Sequence, residues 1–316
     1  MTAADAQSRI AEVIANVEMV VKGKTEAVRM AMVTLLSRGH LLIEDVPGVG
    51  KTVLAHSLAL SLNCSFRRIQ FTSDLLPSDI LGVSIFNQKS HDFEFRSGPI
   101  FSNIVLADEI NRATPKTQSS LLEAMSEGQV SVEHETLALP APFMVVATQN
   151  PIEYYGTYPL PESQLDRFQM RIRMGYPKRE FEKKIITGLR AAEKLEAMTP
   201  VVGAEEVVAL QKLVENVRVE DSLLDYTMEI VERTRNSGRF QLGVSPRGAL
   251  ALFRGAQALA VIEGRDYCVP DDVKSLAVGA LAHRVILVSK RRDGGWSSAE
   301  TAEAVRELVD SIPVPR

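Results

Sequence analysis

The sequence predicts an α/β domain with a mostly parallel sheet, followed by a second domain built almost entirely of helices. Up to about residue 175, short apolar runs alternate with helical segments, and each run ends in a polar turn that contains Gly or Pro. This alternation is typical of buried parallel strands. After residue 177 apolar residues recur every three or four positions, beginning with Phe181, Ile185 and Leu189, which is the spacing of an amphipathic helix. We therefore expect an α/β domain at residues 1–176 and a second, helical domain at residues 177–316.

The first expected element is helical, because apolar residues recur with helical spacing over residues 10–32. Four apolar runs are the expected strands, at residues 40–44, 66–71, 104–107 and 143–147. A helix is expected at residues 52–62. Two stretches interrupt the alternation, near residues 82–99 and 129–139, and their patterns predict small β-hairpins inserted into the α/β core. Such insertions disturb a core little and often carry function.

Composition narrows the class of protein. The chain has 316 residues, with 36 Lys and Arg against 40 Asp and Glu, and a net charge of −4. Proteins that bind nucleic acid or anionic membranes usually carry a basic excess, so we expect neither as a partner. Hydrophobic residues at 45% and charged residues at 24% exclude a mainly disordered or coiled-coil chain. Cys64 and Cys268 fit no paired motif, and we see no signal peptide or membrane-spanning run, so we expect a cytoplasmic protein without direct membrane insertion.

The strongest local signal is a Pro/Gly-containing loop between the first strand and the next helix. Gly50-Lys51-Thr52 opens that helix. Backbone N–H groups and the helix N-terminus can surround a phosphate, Lys51 can reach the terminal phosphates, and the Thr52 hydroxyl can ligate Mg²⁺. The strict phosphate-loop pattern is not met, because Asp45 stands where the first glycine belongs.

Two adjacent carboxylates follow the apolar run at residues 104–107. Asp108 and Glu109 end this expected strand. Asp108 can hold Mg²⁺, and Glu109, on the other face of the strand, can act as a general base toward water. The same pair alone would also suit a helix N-cap. Their order after the phosphate loop favours the catalytic interpretation.

Three further side chains complete the candidate chemistry. Asn150 follows the strand expected at residues 143–147 and can orient the attacking water, although Asn-Pro is also a common turn. Arg167 and Arg247 each lie beside an expected helix end. An arginine in such a place can stabilise charge on a transferring phosphoryl group.

Longer motifs resemble one family. The stretches that carry the resemblance are Ile-Val-Leu-Ala-Asp-Glu-Ile-Asn-Arg (104–112), Gln-Ser-Ser-Leu-Leu-Glu-Ala-Met-Ser-Glu (118–127), Ala-Thr-Gln-Asn-Pro (147–151), Gly-Thr-Tyr-Pro-Leu-Pro-Glu (156–162), Gln-Leu-Asp-Arg-Phe (164–168) and Ser-Pro-Arg-Gly (245–248). They are similar to MoxR-type AAA+ ATPases of the helix-2-insert clade, and the similarity covers nearly the whole chain. It implies an AAA+ P-loop domain with a helical lid.

The resemblance also implies roles, residue by residue. The Walker A loop and its flanks would bind ATP through Pro47, Gly48, Val49, Gly50, Lys51, Thr52 and Val53. Val21 and Gly23 resemble the segment that packs on the adenine. Asp108 and Glu109 resemble the Walker B pair, with Thr52 and Asp108 holding Mg²⁺, and Asn150 resembles sensor 1. Arg167 resembles an arginine finger, which acts on a neighbouring protomer, and Arg247 resembles sensor 2, which we expect to act on the nucleotide of its own chain.

The implied activity is ATP hydrolysis by a homo-oligomeric ring, expected to be a hexamer. The ring would act as a chaperone-like motor on a protein client, with von Willebrand factor A domain proteins and metal-centre insertion as implied partner and task. Two alternatives stay open: a nucleotide-controlled assembly switch with little turnover, and a motor subunit similar to that of magnesium chelatase. The five histidines form no metal-ligand spacing, and Trp296 receives no role.

Overall fold

The structure is a computed structural model that describes residues 2–132, 135–151, 156–186, 191–288 and 297–315. Trp296, Leu189 and His134 lie outside these residues. The described helices are α1 (Ala3–Glu18), α2 (Thr25–Leu36), α3 (Lys51–Ser61), α4 (Pro77–Leu81), α5 (Pro115–Glu127), α6 (Glu162–Leu165), α7 (Arg179–Ile186), α8 (Ala191–Glu196), α9 (Ala204–Glu215), α10 (Asp221–Asn236), α11 (Pro246–Ile262), α12 (Pro270–Leu281) and α13 (Ser298–Asp310). A 3₁₀ turn spans Ile110–Arg112.

The described strands are β1 (Leu41–Glu44), β2 (Phe66–Gln70), β3 (Gly82–Asn87), β4 (Asp92–Ser97), β5 (Ile104–Asp108), β6 (Gln129–Val132), β7 (Glu135–Ala138), β8 (Met144–Gln149), β9 (Met170–Ile172), β10 (Phe240–Leu242) and β11 (Ile286–Leu287). Five of them form a parallel sheet in the order β2-β5-β8-β1-β9. The predicted parallel sheet is confirmed. The apolar pattern did not predict β9, because this strand has three residues and carries an arginine at its centre.

Alternate residues along the central strands face two different apolar cores. Ile104 and Leu106 of β5 face the core shared with α1, α2 and α3, whereas Val105 and Ala107 face a second core with α4 and α5. A strand buried on both faces is continuously apolar, as parallel strands between helices are. The sheet therefore lies between two apolar cores, and the amino and carboxyl ends of its strands can each carry a separate set of functional groups.

The two predicted hairpins are present in the described residues. β3 pairs with β4, and β6 pairs with β7, both antiparallel and separate from the central sheet. In the lid, β10 and β11 form one short antiparallel pair that the helical spacing did not predict. Among the described helices, none combines the length and the apolar character needed to cross a lipid bilayer.

The lid packs directly on the α/β domain. Its helix α11 contacts α1 and α2, and α12 lies against β9. Two buried amides tie the parts together: the Gln211 side chain donates to the Leu35 carbonyl at 2.7 Å, and the Gln169 side chain donates to the Ala251 carbonyl at 2.7 Å. Apolar residues of both parts belong to one continuous core. The division at residue 176 stays a prediction.

Candidate active site

The predicted phosphate loop lies at the carboxyl end of β1 and leads into α3. Gly48 and Gly50 have φ angles of +83° and +96°, a region that favours glycine. No atom lies within 4 Å of a Cβ built on Gly48, and only the Met174 methyl group, at 4.0 Å, approaches one built on Gly50. The loop backbone is thus open to the adjoining space, and the first N–H groups of α3 have no helical partner of their own. These are the features of an anion-binding turn.

A cavity of about 400 Å³ adjoins this loop. The residues that line it are Pro47, Gly48, Gly50, Lys51, Thr52, Val53, Arg68, Asp108, Glu109, Thr148 and Asn150. Parallel strands place their carboxyl ends at one edge of the sheet, which explains why β1, β5 and β8 all contribute. The structure therefore brings together most of the residues predicted for ATP and metal binding.

Lys51 lines the cavity, and its ammonium is held by neutral groups. Its ammonium donates to the carbonyl oxygens of Asp45 and Gln149. Burial lowers the pKa of Lys51, while the nearby carboxylates of Asp45, Asp108 and Glu109 oppose that shift. Because carbonyl oxygens do not neutralise its charge, the ammonium can pair with an incoming phosphate.

Each acid at the end of β5 is held by neighbouring side chains. Asp108 accepts from the Thr148 hydroxyl at 2.7 Å and from the Arg68 guanidinium at 2.6 Å. Glu109 accepts from the Gln70 amide at 3.1 Å and pairs with Arg112 at 2.8 Å. Glu109 also has a φ of +58°, a conformation that is strained for a residue with a side chain. The surrounding contacts fix this strained turn, which points two acids into one cavity.

Asp45 has a structural role that explains the departure from the phosphate-loop pattern. Its buried carboxylate accepts hydrogen bonds from the backbone N–H groups of Met174 and Gly175, at 2.7 and 2.5 Å. These residues follow β9 and lead into the lid. The Lys24 ammonium holds the same turn through the carbonyls of Met174, Gly175 and Tyr176. The side chain at position 45 therefore ties the loop entrance to the connection between the two domains.

Three predicted nucleotide-binding residues lie beside the cavity and do not line it. Val21 and Val49 are buried. Gly23 has a φ of +70°, and a Cβ built on it would lie 2.4 Å from the Phe181 ring of α7. Val21 and Gly23 thus belong to the junction between α1, α2 and the lid, next to the turn that Asp45 holds.

Arg167 lies at the amino ends of the parallel strands, which form the edge of the sheet opposite the phosphate loop. It precedes β9, and its guanidinium donates to the Leu122 carbonyl at 2.6 Å and to the Ser126 hydroxyl at 2.9 Å, both on α5. The cavity beside it, about 240 Å³ in volume, is lined in part by His40, which precedes β1. Even the short strand β1, of four residues, separates the two edges by about 13 Å at roughly 3.3 Å per residue.

Arg247 differs from the sequence-based expectation. It begins α11 and lines the same cavity as Arg167, together with Arg38, Arg254 and Arg284. It does not line the cavity of the phosphate loop. We expected Arg247 to act on the nucleotide of its own chain, but the lid docks the start of α11 at the amino edge of the sheet, so the two arginines share one face.

The docking of α11 depends on an ionic cluster that the sequence analysis missed. Asp166 accepts from the Ser245 hydroxyl at 2.9 Å and from the Arg284 guanidinium at 2.8 Å. The Arg284 side chain is 1% exposed. Burial lowers the pKa of Arg284 to about 10, and Asp166 opposes this shift. No sequence signal pairs these residues, which are 79 and 118 positions apart.

Replacing Asp166 with alanine should destabilise the protein strongly, because it leaves the Arg284 charge buried without a counter-ion. We expect a loss of about 3 to 5 kcal/mol in the free energy of unfolding, measured by urea denaturation. Asp310→Ala removes the acid of the exposed Lys274–Asp310 pair and serves as the control, with an expected loss below about 1 kcal/mol. Equal effects of the two substitutions would contradict the proposed importance of the buried cluster.

Two family models match separate parts of the chain. A model of the ATPase family associated with various cellular activities (AAA) matches residues 40–170, and an AAA lid domain model matches residues 232–308. The chain is 48% identical to the uncharacterized protein YeaC of Bacillus subtilis (strain 168), over 98% of this chain and 96% of that protein. A crystal structure of a protein from Cytophaga hutchinsonii ATCC 33406 superposes with a TM-score of 0.88 and 36% identity, covering 99% of this chain and 97% of that one.

A further relative identifies the branch of this superfamily. The chaperone MoxR1 of Mycobacterium tuberculosis (strain ATCC 25618 / H37Rv) is 41% identical over 87% of this chain and 74% of that protein. The two family models span the phosphate loop, the two acids at the end of β5 and the arginine that begins α11. A cavity with a phosphate loop, a lysine and two acids is also the arrangement that nucleotide hydrolysis requires. The chain belongs to the MoxR family of AAA+ ATPases.

Proposed function

We propose that this ATPase works as a ring of identical chains, most simply a hexamer, in which neighbouring protomers complete each other's active sites. The observation that carries the proposal is the placement of the phosphate loop at one edge of the sheet and of Arg167 and Arg247 at the other. A protomer cannot bring its own two arginines to its own phosphate loop without disrupting the packing of the sheet and the lid. In a closed head-to-tail ring, one edge of each chain meets the opposite edge of the next.

Mg²⁺ fits the same cavity. Thr52 offers a hydroxyl oxygen and Asp108 a carboxylate oxygen, which are donors that Mg²⁺ prefers. When bound with ATP, the ion would neutralise charge on the phosphates. Lys51 and the backbone N–H groups of the loop would hold the phosphates from the other side.

The remaining groups of the cavity suit the attack of water on the terminal phosphate. Glu109 would accept a proton from water as that oxygen bonds to phosphorus and the bond to ADP breaks. Asn150 lines the same cavity and would orient the water. Arg167 and Arg247 of the next protomer would stabilise the charge that spreads over the phosphoryl oxygens.

We further propose that turnover remodels a protein client. The relative MoxR1 is named a chaperone, which supports this proposal. A complex with a von Willebrand factor A domain protein, and the insertion of a metal centre, are the client and task that the family resemblance suggests. The formal charge of −4 argues against nucleic acid as the client. Two free thiols, Cys64 and Cys268, suit the reducing cytoplasm.

A substrate trap tests this proposal. Glu109→Gln should bind ATP without hydrolysing it and so hold a client that wild-type protein releases. We expect a specific protein to co-purify with Glu109→Gln in the presence of ATP, and not with Lys51→Ala, whose phosphate loop cannot bind the nucleotide. Wild-type protein with ATP should then change the protease sensitivity of the captured protein. Equal capture by both variants would contradict an ATP-driven remodelling role.

A further inference from the structure

Arg68 lines the nucleotide cavity, although it belongs to none of the sequence motifs described above. It belongs to the edge strand β2, and its guanidinium donates to a single oxygen of Asp108 through Nε at 3.1 Å and Nη2 at 2.6 Å. Arg68 and Gln70 are two residues apart and share one face of the strand. Gln70 stands directly opposite Asp108 in the parallel register. Two side chains of the edge strand, Arg68 and Gln70, therefore contact the acids at the end of β5.

The carboxylate of Asp108 is occupied at both oxygens. Oδ2 accepts from Arg68, and Oδ1 accepts from the Thr148 hydroxyl at 2.7 Å. Nη2 of Arg68 also donates to the Gln70 side chain at 2.7 Å. In this arrangement the arginine gives Asp108 the positive partner that a metal ion would otherwise supply.

The two partners of Asp108 differ in their freedom to move. The Thr148 residue is 1% exposed and sits in the middle of the sheet, whereas the Arg68 side chain is 49% exposed. Arg68 can swing into solvent without opening a core. Thr148 cannot leave without distorting β8. A cation that approaches Asp108 would therefore displace the arginine.

We propose that Arg68 and Mg²⁺ compete for Asp108, so that Arg68 is a positioning residue that sets the metal affinity of the nucleotide site. This inference rests on the proposed role of Asp108 in holding Mg²⁺. Two cations cannot share one carboxylate oxygen at close range without strong repulsion. The consequence is a site that keeps its acids neutralised until nucleotide phosphates and the metal enter together.

Competition and a merely structural role predict opposite changes in Mg²⁺ affinity when Arg68 is removed. If Arg68 only oriented Asp108, its removal would weaken Mg²⁺ binding. If Arg68 competes, its removal strengthens Mg²⁺ binding. The measurement is the binding of a fluorescent ADP analogue to the full chain across a range of Mg²⁺ concentrations.

We expect Arg68→Gln to lower the Mg²⁺ concentration at half-maximal effect by about threefold or more, since one competing charge is lost. Arg68→Lys keeps the charge but not the paired donors, and its midpoint should lie between those of Arg68→Gln and wild type. Arg67→Gln removes the neighbouring exposed arginine, which does not line the cavity, and should leave the midpoint unchanged. Binding of the analogue in EDTA shows that each variant is folded.

An unchanged or raised midpoint in Arg68→Gln would overturn the competition, even though the metal assignment would stand. The assignment of Asp108 as a metal ligand is tested by the wild-type protein. If analogue binding by wild-type protein did not respond to Mg²⁺, Asp108 would not serve as a metal site, and the inference for Arg68 would fail with it.

Discussion

Replacing Arg167 with alanine is expected to lower the rate of ATP hydrolysis by about 10³-fold or more, as the loss of an arginine finger does in other phosphoryl-transfer enzymes. ATP binding and nucleotide-dependent assembly should persist, because the phosphate loop of each chain is intact. Hydrolysis is measured as phosphate release, and assembly by sedimentation with ATP and Mg²⁺. Full hydrolysis by a protein that sediments only as a monomer would contradict the shared site.

Mixing variants identifies which chain supplies each arginine. A Lys51→Ala protomer cannot bind ATP, but its Arg167 and Arg247 are intact and can serve a neighbour. Arg167→Ala blended equally with Lys51→Ala should therefore regain activity, with about a quarter of the sites complete in randomly assembled rings.

The same blend made with Arg247→Ala should also regain activity, because Arg247 lies on the same face as Arg167. This outcome is the opposite of the one we expected from the sequence. An arginine that reached the nucleotide of its own chain would leave this second mixture inactive. Recovery of the Arg167 mixture alone, in rings shown to contain both variants, would restore the original assignment of Arg247.

Replacing Glu109 with glutamine should leave ATP binding nearly unchanged and lower hydrolysis by about 10²- to 10⁴-fold, the usual contribution of a general base. The amide keeps the size of the side chain and can still hydrogen-bond to Gln70, so the strained turn at residue 109 should persist. Binding is measured with a fluorescent nucleotide and hydrolysis by phosphate release. Gln70→Ala removes the hydrogen-bond partner without removing the acid and serves as a comparison. A Glu109→Gln protein that retained more than about a third of the wild-type rate would remove Glu109 from this role.

The sequence predicted the carboxyl edge of the sheet well, for a physical reason. The groups there come at or after the ends of strands that begin with apolar runs: Asp108 ends β5, Asn150 follows β8, and Lys51 follows β1 across the phosphate loop. Once the strands are parallel, their ends must meet. Local patterns therefore contain the information that places these three side chains in one cavity.

The amino edge could not be predicted in the same way. Its geometry depends on how the lid docks, and the docking contacts join Asp166 to residues 79 and 118 positions away. Ser245 and Arg284 show no local pattern that marks them as partners of an acid. Arg68 and Gln70 were missed for a similar reason, since exposed polar residues on an edge strand are common and only the register of β2 with β5 shows what they touch.

The hydrogen bonds of Asp45 affect how distant relatives of this protein can be recognised. A strict phosphate-loop pattern demands glycine five residues before Gly50, and it rejects this chain at that position. Here a glycine would leave the N–H groups of Met174 and Gly175 without their acceptor. Those partners are backbone N–H groups, which every residue except proline supplies. The residues at 174 and 175 can therefore change without losing the contact, and their changes would not correlate with changes at position 45. Searches for this branch should therefore accept a small hydrogen-bond acceptor at that position, and covariation methods will not find its partner.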